Sequence, residues 1–221
     1  ACGSDTDLLS LDSLPVLQDD FGWVEPGMPW EEGETHGEWT TVFDGYGLVS
    51  VEAPLGSPGL VTRPASADSP DVTHGALVVS DPVFDDLDVQ VRVTTLEQLR
   101  FGSAPNPWEC GWVLWSYSDD DHFYYLALKT NGWELGKADP AYPGKQRFLA
   151  DGRDVRFDVG QTVDVRVQQV GSRLTVWADG QQLATFVDDE RPYLSGSIGL
   201  YTEDAEVLFD DLHAIEGTRL P

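Results

Sequence analysis

The chain is patterned with a period of two. Leu87, Val89, Val91 and Val93 alternate with Asp88, Gln90, Arg92 and Thr94, and Val163, Val165 and Val167 alternate with Asp164, Arg166 and Gln168. Successive side chains of a strand point to opposite faces, so each run predicts a strand with one buried face. Residues 108–137, WECGWVLWSYSDDDHFYYLALKTNGWELGK, are the densest stretch. Aromatic and aliphatic runs at 111–117 and 122–129 flank the polar loop Ser118-Asp119-Asp120-Asp121. Asn131-Gly132 is a two-residue hairpin signal, and a third run covers 133–137, so a three-stranded meander is expected.

A four-residue loop sets Tyr117 opposite His122, Trp115 opposite Tyr124, Val113 opposite Leu126 and Trp112 opposite Ala127. A turn at Asn131-Gly132 sets Lys129 opposite Glu134 and Leu128 opposite Leu135. One face then carries Val113, Leu126, Leu128 and Leu135 as core, and the other carries Trp112, Tyr125, Lys129 and Glu134. Aromatic rings cover the apolar faces of pyranoses, and a flanking ion pair offers hydrogen bonds to hydroxyls, so the second face reads as a sugar platform. The plainer alternative is an exposed cross-strand ion pair beside aromatics that fill the sheet.

Elsewhere, residues 16–21, 39–43, 46–51, 75–80, 87–95, 146–149, 163–170, 174–178, 182–187, 197–201 and 206–213 read as strands. Asp44-Gly45, Gly171-Ser172 and Asp179-Gly180 read as hairpin turns between them. Residues 21–38 and 54–70 read as Pro- and Gly-broken loops, the first pinned by Trp23 and Trp30. No helix is predicted, so the fold class is all-β: an antiparallel two-sheet sandwich of the jelly-roll type, spanning 16–221 as one domain.

The 221 residues carry 39 acidic and 13 basic side chains, a formal net charge of -26. Nucleic acid and anionic membrane surfaces need local positive charge and are excluded as partners; a neutral ligand or calcium fits better. Acidity is equally what a solvated surface gives. Residues 1–15 read as an acidic tether after Cys2, whose Ala-Cys-Gly-Ser setting matches a lipoprotein processing site. Export and a lipid anchor at Cys2 are therefore expected, with a Cys2–Cys110 disulfide as the rival reading. The protein is expected to be a monomer that binds a polysaccharide or oligosaccharide, with a purely structural or adhesive surface lipoprotein as the further alternative.

Residues 163–214 resemble the second half of bacterial concanavalin A-like, or LamG-like, jelly-roll domains, in the order strand, two-residue turn, V-W-x-D-G, G-x-I-G-L-Y and a closing F-D-D strand. Such domains occur in laminarinase-like glucanases, lectins and sugar-processing lipoproteins, so the resemblance implies glycan binding or processing on the concave sheet. The E-x-D-x-x-E run that carries the glucanase carboxylates is absent. Jelly-roll lyases pair a cation with a Tyr or His, and Tyr125, Lys129, Arg92, Arg100 and His122 offer those groups. Tyr125-x-x-x-Lys129 loosely resembles the lyase strand Y-F-K-x-G.

Among carboxyls, Glu109 beside Trp108 and Glu134 beside Trp133 are the acid candidates for a hydrolase. Catalytic candidates are thus Glu134, Lys129, Tyr125, Arg92, Glu109 and His122; ligand-binding candidates are Trp112, Tyr125, Lys129, Glu134 and Trp108. Phe-Asp-Asp or its reverse occurs three times. If the first and last strands lie side by side, as the resemblance implies, Asp20 and Asp211 are candidate calcium ligands; the alternative is that these aspartates cap turns. No motif for transition-metal, serine-hydrolase, dinucleotide or phosphate chemistry is present.

Overall fold

The structure is a computed structural model that describes residues 16–217. Cys2 and the expected tether lie outside the described residues. Two antiparallel sheets face each other. The first runs β14 (Gln181–Val187), β13 (Arg173–Ala178), β12 (Thr162–Val170), β7 (Leu87–Gln98), β16 (Ala205–Glu216), β5 (Gly59–Arg63), β4 (Leu48–Glu52), with β1 (Val16–Asp19) also paired to β16. The second runs β11 (Gln146–Gly152), β10 (Trp133–Ala138), β9 (His122–Ala127), β8 (Gly111–Asp119), β15 (Gly196–Glu203), β6 (Gly75–Phe84), β3 (Trp39–Phe43), β2 (Thr35–His36). The only helical piece among the described residues is a 3-10 turn, Pro143–Lys145.

The period-two pattern builds the core. Val89, Val91 and Val93 of β7 and Val163, Val165 and Val167 of β12 point inward to meet Val113, Trp115, Tyr124 and Leu126 of the second sheet. Their polar alternates Arg92, Asp164 and Arg166 line the outer face of the first sheet. The second sheet carries apolar side chains on both sides. Leu77, Cys110, Trp112, Leu114, Tyr125 and Ala127 form a separate cluster on its outer face.

The meander differs from its expected register in two places. Trp112 through Trp115 pair with Ala127 through Tyr124 as expected, but a bulge follows, and Asp119 then pairs with His122 across a two-residue turn. Ser116, buried at φ 48°, takes the strained position. Glu134 pairs with Ala127 rather than Lys129, because Lys129 begins a turn closed by the Gly132 N–H on its carbonyl. The slip is two residues, so the faces keep their parity.

Asp44-Gly45 turns the chain, but not into a hairpin: β3 joins the second sheet and β4 the first. Residues 59–63, read as loop, form β5, whose first four residues are all buried. Such a run shows no alternation for a period to reveal.

Ion pairs buried to exclusion of water tie the loops to this frame. Lys137 Nζ donates to Asp188 Oδ2 at 2.7 Å and to the carbonyls of Glu190 and Arg191 at 2.9 and 2.6 Å. It also lies 4.3 Å from the Tyr193 ring centre. Asp188 further accepts from Tyr124 Oη at 2.6 Å and Arg147 Nη1 at 2.9 Å. Neither Lys137 nor Asp188 is exposed.

Candidate functional site

A cleft of about 370 Å³ opens on the outer face of the second sheet. Trp108 and Phe148 flank it, 43% and 63% exposed, while Trp112, Lys129, Glu134, Gln146 and Glu203 complete its wall. Its floor follows from strand alternation. Glu134, Ala127, Trp112 and Tyr201 are successive cross-strand neighbours on β10, β9, β8 and β15 and therefore share one face.

The polar groups are fixed before any ligand arrives. Lys129 Nζ donates to Glu134 Oε2 at 2.8 Å and Tyr125 Oη donates to Glu134 Oε1 at 2.8 Å. Gln146 Nε2 donates in turn to Tyr125 Oη at 2.5 Å. Gly136 makes this possible, since a Cβ there would sit 2.1 Å from Tyr125 Oη. Trp112 is nearly buried: its ring packs 4.7 Å from Tyr125 and edge-on to Tyr201 at 5.5 Å, and its indole N–H donates to the Trp108 carbonyl. It supports the cleft, and the rings with free surface are Trp108 and Phe148. The expectation that Trp112 is a free platform is corrected by this packing.

Gln146, Phe148 and Glu203 are the cleft residues that sequence reasoning missed, and Glu203 has the most distinctive chemistry. Burial pushes its carboxyl above the usual range, with Asp204, Glu109 and Glu134 adding to the rise and the Tyr201 hydroxyl opposing it. Its parity was available: Ile198 and Leu200 face the core, which turns Tyr201 and Glu203 outward. A raised carboxyl in the fold binds its proton more tightly than the unfolded chain does, so its stabilising share is complete below the unfolded pKa and lost as pH rises. Glu203→Gln is therefore expected to gain stability relative to the parent between about pH 4 and about pH 7, checked by urea midpoints at the two values. A constant difference would remove the assignment of a strained carboxyl.

Other expected site residues do not converge here. Arg92 lies across the sandwich, in a groove of about 620 Å³ on the outer face of the first sheet with Arg166, Trp177, Asp164 and Asp211. That groove is larger, but its cations are engaged: Arg92 with Asp210 and Asp211, Arg166 with Asp88 and with the Trp177 ring at 4.9 Å. Glu109 is wholly buried, accepting from Arg100 Nε at 2.5 Å and Asn106 at 2.8 Å, so it is closed to substrate. Arg100 is equally buried, held also by Asp204. His122 sits at the β8–β9 turn against Asp119, five residues along β9 from Ala127 or about 17 Å.

The first and last strands do lie side by side, with Asp19 opposite Leu212. The calcium ligands do not follow from that. Asp20 accepts from the Gly22 N–H, Asp211 pairs with Arg92, and among the described residues no group of three or more carboxylate, histidine or cysteine side chains is gathered for a metal. A guanidinium stands where a cation would, so these residues do not fit calcium. Asp19 instead accepts from the indoles of Trp23 and Trp39, both at 2.9 Å. Cys110 is a buried free thiol whose Sγ donates to the Trp108 carbonyl at 3.3 Å.

No protein-family model matches the chain, and no curated protein sequence does. Solved structures do. A carbohydrate-binding module, CBM66 from Bacillus subtilis, aligns with a TM-score of 0.59 at 15% identity, covering 81% of this chain and 96% of that one. A Bacillus subtilis protein of unknown function with a galectin-like fold gives 0.56 at 10% identity, covering 92% and 100%. The Crh5 transglycosylase gives 0.54 at 9% identity, covering 92% and 85%. The fold is a concanavalin A-like jelly-roll sandwich. At these identities the likeness fixes architecture, and the chemistry has to come from the cleft.

Proposed function

We infer that the protein recognises a glycan, and that the cleft between Trp108 and Phe148 is where it binds. The supporting observation is the combination of two presented aromatic rings with a pre-hydrogen-bonded Lys129–Glu134–Tyr125–Gln146 set. Rings of that kind take the apolar faces of pyranoses, and fixed donors and acceptors meet their hydroxyls. The carbohydrate-binding and transglycosylase names among the structural relatives agree with this reading.

The ligand is a neutral glycan. Glu134 and Glu203 outnumber Lys129 on the cleft wall, and Lys129 is already paired. A uronate would find no free cation there, which weighs against the lyase alternative. Export through a lipid anchor at Cys2 remains part of the proposal, resting on the Ala-Cys-Gly-Ser setting of that cysteine.

A second reading, hydrolysis of the bound glycan, is favoured by one observation: two carboxyls in different environments line the same cleft. Glu203 is held up by burial, whereas Glu134 accepts from an ammonium and a hydroxyl. Carboxyls differentiated by their surroundings are how acid and base roles are divided in glycosidases.

Trp108→Ala tests recognition. Affinity for whichever neutral polysaccharide binds in a glycan panel is expected to fall about tenfold or more. The stability cost should stay below the ~3–5 kcal/mol of a core Trp→Ala truncation, because the ring is 43% exposed. Undiminished binding would move the site elsewhere on the molecule.

A further inference from the structure

The row of side chains that floors the cleft does not stop at Tyr201. From Asp151 it passes through Glu134, Ala127, Trp112, Tyr201 and Leu77 to Phe43, each the direct cross-strand neighbour of the last on seven adjacent strands. At about 4.8 Å per strand the row is about 29 Å long. Three cavities lie along it. A pocket of about 90 Å³ at Asn131 and Asp151 shares Lys129, Glu134 and Phe148 with the main cleft. Beyond the cleft, a third of about 300 Å³ is walled by Tyr201, Phe43, Asp44, Tyr46, His74 and Glu32.

Tyr201 joins the last two. Its ring lines the third cavity and meets Trp112 edge-on, while its hydroxyl donates to Glu203 in the main cleft. At the far end stands Tyr46, 88% exposed, the most exposed large apolar side chain among the described residues. It is not loose: its N–H donates to Asp44 Oδ1 at 2.8 Å, and its ring lies edge-on to His74 at 5.6 Å. A non-glycine turn residue at φ 61° that carries an aromatic ring into solvent is uncommon.

Resting on the glycan reading above, we propose that the outer face of the second sheet is a multi-subsite track for the interior of a neutral polysaccharide chain. The main cleft holds one end of the bound segment and the Tyr46–His74 cavity the other. Glu32, Asp44, Glu134, Asp151 and Glu203 border the track against two cations, Arg153 and the Lys129 already paired to Glu134, and this acidic excess repels acidic chains. A monosaccharide or chain end would fill only one cavity.

The test is a length series. Gluco-, xylo- and fructo-oligosaccharides from disaccharide to hexasaccharide are titrated calorimetrically against the parent protein, Trp108→Ala and Tyr46→Asn. Asparagine tolerates the left-handed backbone at position 46, and an unchanged melting midpoint verifies folding. For the series that binds, affinity of the parent is expected to rise about tenfold from disaccharide to hexasaccharide. Tyr46→Asn should abolish that rise while leaving disaccharide binding unchanged, and Trp108→Ala should weaken every length. Binding independent of length, or a Tyr46→Asn loss equal at all lengths, overturns the track and leaves single-site recognition standing. No binding of any oligosaccharide to the parent overturns both.

Discussion

Asp188→Ala is expected to cost about 3–5 kcal/mol of folding stability, the range for removing one partner of a buried ion pair. The side chain closes four hydrogen bonds at once, from Lys137, Tyr124, Arg147 and the Glu190 N–H. Without it, the Lys137 ammonium stays sealed in the interior with Asp139 at 3.9 Å as its nearest remaining carboxylate. Urea unfolding with an unchanged slope should report the loss. Burial alone would push the Asp188 carboxyl up, but the hydrogen bonds from Lys137 and Tyr124 outweigh it and hold the pKa below its usual value. The stabilisation is then present above the unfolded pKa and lost as pH falls through the folded one, so the gap between parent and variant should narrow in acid. A variant within about 1 kcal/mol of the parent would mean that water reaches this cluster.

Glu203→Gln is expected to lower glycosidic hydrolysis by about 10²–10⁴-fold while leaving glycan affinity within a few-fold, if the cleft cleaves what it binds. A raised carboxyl keeps its proton available to a leaving-group oxygen at higher pH than an ordinary glutamate does, and glutamine keeps the shape without that acid function. Parent turnover should fall on the alkaline side as Glu203 ionises, and reducing-end assays across pH measure both effects. Turnover that survives the substitution removes Glu203 from the acid role. Binding without turnover in the parent leaves a lectin-like protein.

What could be read in advance was parity, and what could not was partnership. The alternation around Trp112 and Val113 sorted core from outer face, and the two-residue slip at Lys129 left that sorting intact because side chains repeat every two residues. Asp44-Gly45 announced a turn, yet turn chemistry carries no information about which sheet the next strand joins. Residues 59–63 escaped because a strand without an exposed face has no alternation to show. Arg92 and Glu109 looked like site residues only as letters. Their partners Asp210, Asp211 and Arg100 are brought in by β16 and by the loop before β8, at separations no local pattern encodes.

The pairing of β1 with β16 sets Val16 opposite Ile215. The chain thus enters and leaves the sandwich at one point, and that point is on the first sheet, across the core from the cleft. A polypeptide with such adjacent ends tolerates re-cutting: a short linker could rejoin residues 16 and 217, and new ends could open at the Gly171-Ser172 turn without severing a ladder. The same layout lets the whole sandwich be threaded into a surface loop of another protein as an insert, with the Trp108–Phe148 cleft still pointing away from its host.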